Sequence, residues 1–255
     1  MRYPTLPQSL RTIREISPNA VKTVLDIGAQ RKTDFLMQVY PDCFHHLFEP
    51  ASIYHQDLAK NYNDLNIQHK IHSVALSDVD KELYLHNLSM DRSGLITHSQ
   101  IKPERDEGLD MLVGIETVPA RRLDTMFKRE ALGDLSYIVK LDVDGVEEKI
   151  IEGGQDVIGG ASFAIIEASM GRQDLCQRAA LLEKCGFRMF DICDHAYYFG
   201  QLALVDLVMI NNRLRDAEMK FQPWQYTEGQ VVWKKWQHGF KDLEGASVHD
   251  PYGDM

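Results

Sequence analysis

The feature that most limits the fold of this chain is a series of short apolar runs, each closing on a glycine or a carboxylate. Thr23-Val24-Leu25-Asp26-Ile27-Gly28, His46-Leu47-Phe48-Glu49 before Pro50, Tyr137-Ile138-Val139-Lys140-Leu141-Asp142 and Phe163-Ala164-Ile165-Ile166-Glu167 have this form, and residues 70–76 lead into Ser77-Asp78. Such runs, bounded by polar residues and Gly, read as buried strands. Between them lie segments with helical spacing: residues 33–39 stopped by Pro41, a helix capped by Ser52 through Tyr62, residues 123–128, residues 146–152, and a helix from Asp174 to near Gly186. Residues 81–88 alternate polar and apolar and read as a strand with one wet face. Residues 116–118 read as a short strand. Residues 187–192 and 202–210 read as a closing hairpin around Tyr197-Tyr198-Phe199. Alternating strands and helices followed by a hairpin predict an α/β fold with a doubly wound, mostly parallel sheet of seven strands and a terminal antiparallel hairpin.

Three stretches stand apart. Residues 5–20 read as a leading helix closed by Ser17-Pro18-Asn19, which sets off 1–20 as a helical segment before a domain at 21–212. Residues 89–114 hold Ser93-Gly94, Pro103, Gly108 and Gly114 among charges and read as a long functional or mobile loop. Residues 213–255 form an aromatic-rich tail that either packs back on the domain or joins a homodimer.

The chain has 255 residues, 44% hydrophobic and 26% charged, enough for a full core without disulfides or a structural metal. Its 38 acidic and 28 basic residues leave a net charge of -10, which repels phosphate backbones and argues against nucleic acid as the main partner. Cys43, Cys176, Cys185 and Cys193 form no CxxC pair and read as free thiols in a reducing compartment. No apolar stretch approaches the ~20 residues of a membrane span, and residues 1–4 lead into no signal-peptide core, so the expected localisation is cytoplasmic.

In a doubly wound sheet, ligands bind outside the carboxyl ends of the strands, at the switch point. The chemistry-bearing residues fall there. Gly28 after the first strand lets backbone approach a ligand, with Asp26 and Ala29 beside it, although a plain strand-to-helix turn would also use a glycine. Glu49 follows Gly28 by 21 positions and can accept from both hydroxyls of a ribose; a solvated strand end is the plainer alternative. Ser77 and Asp78 end the third strand and can meet an adenine amine, or simply make a turn. In Lys140-Leu141-Asp142-Val143-Asp144-Gly145-Val146-Glu147, Asp142 can orient a hydroxyl or take its proton, and Lys140 can pair with a carboxylate. Asp144 and Glu147 have the spacing of a capping box. Glu167 ends the next strand as a second candidate base.

The order and spacing of Asp26-Ile27-Gly28-Ala29, Phe48-Glu49-Pro50, Ala75-Leu76-Ser77-Asp78, Arg122-Leu123-Asp124 and the Lys140–Glu147 block resemble the FkbM family of methyltransferases, over residues 21–212. Asp206 resembles the family's last strand, and Ser93-Gly94 falls where a Ser-rich, cofactor-proximal loop is often placed. The resemblance implies a Rossmann-like fold, S-adenosylmethionine as donor, and methyl transfer to a hydroxyl of a small molecule, sugar or glycan. It places Asp26 and Gly28 at the methionine portion, Glu49 at the ribose, Asp78 at the adenine and Asp142 near the transferred methyl. The first loop departs from the family's usual Gly-Ala-Asn-x-Gly: it reads Gly28-Ala29-Gln30-Arg31-Lys32, where Lys32 either crowds the cofactor or pairs with its carboxylate.

No metal is required for this chemistry; Asp142, Asp144 and Glu167 are the one oxygen set that suits Mg²⁺, with His195 and the His45-His46 pair weaker candidates. Two other function classes share the pattern. A nicotinamide-dependent oxidoreductase would use the same fold and ribose carboxylate, but the chain lacks G-x-G-x-x-G. A non-catalytic, methyltransferase-like binding protein is the third reading. The loop at 89–114, the aromatic turn, and Arg92, His98 and Arg105 are the expected sources of acceptor contacts, an exposed loop being the plainer account of the last three.

Overall fold

The computed structural model describes residues 4–143, 145–170, 174–217, 224–227 and 230–233. The chain divides into two compact units, Met1–Met219 and Lys220–Met255. The first opens with α1 (Leu6–Ile16), β1 (Thr23–Ile27), α2 (Asp34–Val39), β2 (Phe44–Phe48), a 3-10 turn (Ser52–Tyr54), α3 (His55–Asp64) and β3 (His69–His72). Four strands follow: β4 (Ala75–Leu76), β5 (Lys81–Leu88), β6 (His98–Lys102) and β7 (Leu112–Arg121). Then come α4 (Leu123–Met126), α5 (Arg129–Leu132), β8 (Tyr137–Leu141), α6 (Glu147–Gly153), α7 (Gln155–Gly160), β9 (Phe163–Ser169), α8 (Leu175–Lys184), β10 (Phe187–Tyr198), β11 (Gln201–Asn211) and α9 (Asn212–Ala217). In the second unit, β12 (Trp224–Thr227) and β13 (Gln230–Trp233) pair antiparallel, with Trp224 opposite Trp233.

The main sheet has seven strands in the order β10-β11-β9-β8-β1-β2-β3. The pairs from β3 to β9 are parallel, and β11 alone runs against its neighbours, which makes the sheet mixed. Strands covered by helices on both faces must be apolar throughout. All five residues of β8 are buried, as are Val24 to Ile27 of β1. One helix-covered face gathers Leu25, Ile27, Val139, Leu141, Ile150, Ile158 and Leu182 into the largest core cluster. α1 buries Leu6, Leu10 and Ile13, spaced one helical face apart, and is tied to β10 by Leu6 N–H donating to Asp194 Oδ2 at 3.2 Å.

The second sheet, in the order β4-β7-β5-β6, corrects the sequence reading in three places. Residues 70–76 are two strands: β3 pairs with β2, and after Ser73 and Val74 the chain leaves for the small sheet, where β4 pairs with β7. The stretch 89–114 is not a continuous loop, because β6 and the start of β7 lie within it and pair on either side of β5. The distal half of β5 has no wet face: Leu85 to Leu88 are all buried, and His86 is covered by a segment whose Asp106 N–H donates to its Nε2 at 2.9 Å.

Two helix starts also differ. α3 begins at His55; Ser52 opens the 3-10 turn, and its hydroxyl donates to Glu116 Oε2 at 3.2 Å. α6 begins at Glu147 with Val146 at its N-cap, so no capping box closes it; Asp144 lies outside the described residues. Glu147 instead pairs with Arg178 at 2.7 Å, both being buried. Most of the tail beyond 217, including Trp236 and Phe240, lies outside the described residues, as does the dimer surface expected there.

Candidate active site

The strand order reverses between β1 and β8, and the carboxyl ends of β1, β2 and β8 open there into a cleft of about 410 Å³. Its floor is the turn after β1. Gly28 has φ +83°, and a Cβ on it would lie 2.0 Å from the carbonyl oxygen of Asp142, so only glycine lets the ends of β1 and β8 approach this closely. One wall is apolar, from Phe48, Val74, Ala75, Leu76, Val146 and Ile150. The small sheet supplies Leu85, Ser99 and Ile101 to the lining, and Tyr54 comes from the 3-10 turn. Sequence reasoning missed these four, because a strand such as His98-Ser99-Gln100-Ile101-Lys102 has no apolar period to reveal it.

Glu49 lines the cleft at the end of β2 and is 4% exposed. Its carboxylate accepts from two backbone amides, Oε2 from Gln30 N–H and Oε1 from Ala51 N–H, each at 2.8 Å. Burial pushes its carboxyl above the usual range, and the two amide bonds work against that rise. Gln30 has φ +45°, a left-handed conformation that a long side chain rarely adopts. Lys32 also lines the cleft; its backbone is not left-handed, and its ammonium pairs with Asp34 at 3.0 Å with about half of the side chain exposed.

Lys140, at the end of β8, is the best-connected charge in the cleft. Its Nζ donates to the Gly28 carbonyl at 3.0 Å and pairs with Asp26 Oδ1 and Asp142 Oδ2, each at 3.2 Å. The Lys140 side chain is 4% exposed, that of Asp26 0% and that of Asp142 48%. Burial opposes the charge on Lys140, but Asp26 and Asp142 overcome it and hold the ammonium above its ordinary range. Lys140 and Asp142 line the cleft; Asp26 does not, being sealed beneath Lys140.

The remaining candidates scatter. Ser77 and Asp78 follow the apolar wall without lining it; Ser77 Oγ donates to Asp78 Oδ1 at 2.9 Å, and a Cβ on Gly153 of α6 would lie 2.0 Å from the Ser77 carbonyl oxygen, so this turn is packed onto that helix. Ser93 is exposed and bonded to Asp91, away from the cleft lining. Arg92, His98 and Arg105 do not line it either; Arg105 pairs with Glu107 at 2.9 Å. Glu167 lies one position beyond the last paired residues of β8 and β9, Leu141 and Ile166, which places it beside Asp142, and it is paired with Asp206 of β11. The Asp206 carboxyl is pushed up to about 7 by burial and then by the charges of Asp142, Glu167 and Asp194, with Lys140 pulling the other way.

Arg178 of α8, which sequence reasoning overlooked, braces this edge: it is 3% exposed, pairs with Glu147, Glu148 and Asp174, and donates to the Glu167 carbonyl. Its spacing of four from Asp174 was the one available signal. Asp174 directly precedes α8 but caps it through no side-chain bond; its Oδ1 accepts from Ser169 N–H at 2.6 Å.

Among the described residues, no three His, Cys, Asp or Glu side chains are grouped to hold a metal; of the expected Mg²⁺ set of Asp142, Asp144 and Glu167, Asp144 lies outside the described residues. His45 bonds the Tyr40 carbonyl at 2.8 Å and His46 bonds His72 at 3.0 Å, which gives both local roles in the core. Cys43, Cys176, Cys185 and Cys193 are all free thiols. Among the described residues, no helix is long and apolar enough to cross a membrane.

A mostly parallel sheet with one reversed strand, a glycine turn after β1 and an acidic residue ending β2 define a Rossmann-like fold. The methyltransferase FkbM domain model matches residues 26–189, well over half of the chain, and the chain belongs to that family. A search of the curated proteins found no match. Among solved structures, the FkbM methyltransferase of Methylobacillus flagellatus KT is 15% identical with a TM-score of 0.46, over 74% of this chain and 44% of that one. TYW2 of M. jannaschii, solved in complex with AdoMet, is 11% identical with a TM-score of 0.41, over 83% of this chain and 78% of that one. The Methanococcus jannaschii fibrillarin pre-rRNA processing protein is 11% identical with a TM-score of 0.43, over 75% and 67%. The chain thus spans less than half the length of the M. flagellatus protein.

Proposed function

We propose that this protein is an S-adenosylmethionine-dependent O-methyltransferase acting on a hydroxyl of a small molecule, sugar or glycan. The observation that carries the reading is Glu49, a buried carboxylate bordering the cleft beside the Gly28 turn and fixed by two backbone amides. Each of its oxygens retains a lone pair for a ribose hydroxyl. The apolar wall of Val74, Ala75, Leu76 and Ile150 suits a flat base, and the Gly28-Ala29 turn lines the cleft with backbone that an amino-acid tail can approach. A volume of about 410 Å³ falls in the range of small-ligand sites.

Bound there, S-adenosylmethionine supplies an electrophilic methyl group. The chain's own task is then to hold an acceptor oxygen in line and receive its proton. Asp142, half exposed at the cleft and aligned by Lys140, is the candidate for both, and Glu167 is the second carboxylate on the same edge. Lys140 acts by positioning, and Lys32 stands where it can meet the tail's carboxylate. Ser77, Asp78 and Ser93 would join the site only through movement of their loops. The exposed turn at Tyr197, Tyr198 and Phe199 lies beyond the carboxyl end of β9 and supports stacking on a sugar ring.

Titration calorimetry of the full chain with S-adenosylhomocysteine, and with NADH in parallel, tests this reading. Micromolar binding of the first alone is expected. Binding of NADH would favour a nicotinamide enzyme, and binding of neither would favour a non-catalytic protein.

A further inference from the structure

The charges around the cleft do not balance. Its lining holds two ammonium groups, Lys32 and Lys140, against three carboxylates, Asp34, Glu49 and Asp142. Lys32 is taken by Asp34 at the outer rim. Lys140 is shared between Asp142 and the buried Asp26, two carboxylates on one cation. A negative excess is therefore fixed at the junction of β1 and β8. It cannot relax by rotation, because Lys140 is anchored to the Gly28 carbonyl and Asp26 is sealed in the sheet.

The excess extends along one face of the sheet. Asp26, Lys140 and Ile165 stand in register, so Asp142 and Glu167, two positions further along their strands, share that face, and Asp206 is paired with Glu167. Asp206 reports the resulting field: besides burial, the charges of Asp142, Glu167 and Asp194 push its carboxyl up to about 7, against the pull of Lys140.

The position of this charge matters if the cleft takes an adenosyl ligand, and the inference rests on that reading. With the ribose at Glu49 and the base against Val74 and Leu76, the other arm of the ligand runs past the Gly28 turn, where Lys140 and Asp142 line the cleft. That arm bears a sulfonium cation in S-adenosylmethionine and an uncharged thioether in S-adenosylhomocysteine. Its ammonium and carboxylate cancel and are common to both.

We propose that Asp26, Lys140 and Asp142 form a charge-setting unit, one ammonium between two carboxylates, through which the cleft distinguishes the sulfonium of the methyl donor from the neutral thioether of the spent product. Asp142 supplies the discriminating charge at the surface of the cleft. Lys140 moderates it, so that the donor is favoured without being held by two unopposed carboxylates.

Calorimetry without any acceptor tests this on the 255-residue chain. S-adenosylmethionine, S-adenosylhomocysteine and sinefungin, whose amine replaces the methylated sulfonium, are titrated into the wild type and Asp142→Asn. The half-exposed side chain makes Asp142→Asn the principal variant. The ratio of product Kd to donor Kd is expected to fall about tenfold in this variant, as for removal of a charge some 4–6 Å from a cation. Sinefungin should follow the donor, and Lys140→Met, where it folds, should raise the ratio. A ratio unchanged within twofold in Asp142→Asn, with all three ligands still binding, overturns the charge-setting role and leaves the cofactor assignment standing. Failure of the wild type to bind any of the three overturns both.

Discussion

The backbone of Gln30 is held in a left-handed conformation by the side chain of Glu49, whose Oε2 accepts the Gln30 N–H at 2.8 Å. One carboxylate thus fixes the turn after β1 from the end of β2, and its other oxygen fixes Ala51 on the far side. Glu49→Ala loses the ribose contact and frees the turn together. It is expected to weaken S-adenosylhomocysteine binding by roughly 1–3 kcal/mol, the scale of charge-assisted hydrogen bonds. Glu49→Gln, which can keep only one of the two amide bonds, should fall between. Unchanged affinity of Glu49→Ala in calorimetry would remove Glu49 from the ribose assignment.

Gly28→Ala meets two obstacles at once. The residue would have to hold φ +83°, and its Cβ would lie 2.0 Å from a backbone oxygen that cannot rotate away. The ends of β1 and β8 must then separate, which also stretches the bond from Lys140 to the Gly28 carbonyl. A loss of at least about 2 kcal/mol in unfolding free energy is expected, with loss of ligand binding in whatever folds. Urea unfolding of the variant beside the wild type checks the first part, and a midpoint within error of the wild type would show that the strands have slack.

The main sheet was legible in the sequence because the runs 137–139 and 163–166 are buried on both faces and are apolar without interruption. The small sheet was not. β6 has one strongly apolar residue, Ile101, and β7 contains Gly114 and Pro119, so their stability comes from pairing with β5, which no local pattern records. In the cleft, Gly28 and Glu49 announced themselves by order and spacing. Lys140 was legible as the partner of a nearby carboxylate, and Asp142 is one, but its second partner was not: Asp26 is 114 positions away and becomes its neighbour only when β1 and β8 lie side by side. For the same reason Asp26, expected beside the ligand, proves to be buried beneath a lysine. Gln30 could not be read as a left-handed residue either, since the bond that holds it there comes from a side chain on another strand.

Lys140→Met leaves Asp26 fully buried and without its countercharge. Breaking a buried ion pair from one side costs about 3–5 kcal/mol, whereas replacing both members can be nearly neutral. The single variant should therefore lose stability on that scale in urea unfolding, and Asp26→Asn combined with Lys140→Met should recover a large part of it. Equal losses in the single and double variants would show that Lys140 acts through the Gly28 carbonyl and Asp142 rather than through Asp26.

Asp206 gives the fold a specific dependence on pH. Its carboxyl is pushed up to about 7 in the folded chain, by burial first and then by Asp142, Glu167 and Asp194, from an ordinary value of 3.8. Between those two values the folded chain binds more protons at this position than the unfolded chain does. Stability from Asp206 is therefore present at acid pH and lost as pH rises toward 7 and through it. Asp206→Asn carries no such charge, so its melting temperature should fall less between pH 5 and pH 8 than that of the wild type, by on the order of a few degrees. Glu147, whose carboxyl burial also raises, titrates in both proteins and drops out of the comparison. Thermal unfolding of the two proteins at both pH values decides the matter. Parallel curves would mean that Asp206 is better solvated than its neighbours on β9 and β10 allow, and that the negative field along this edge is weaker than the paired carboxylates imply.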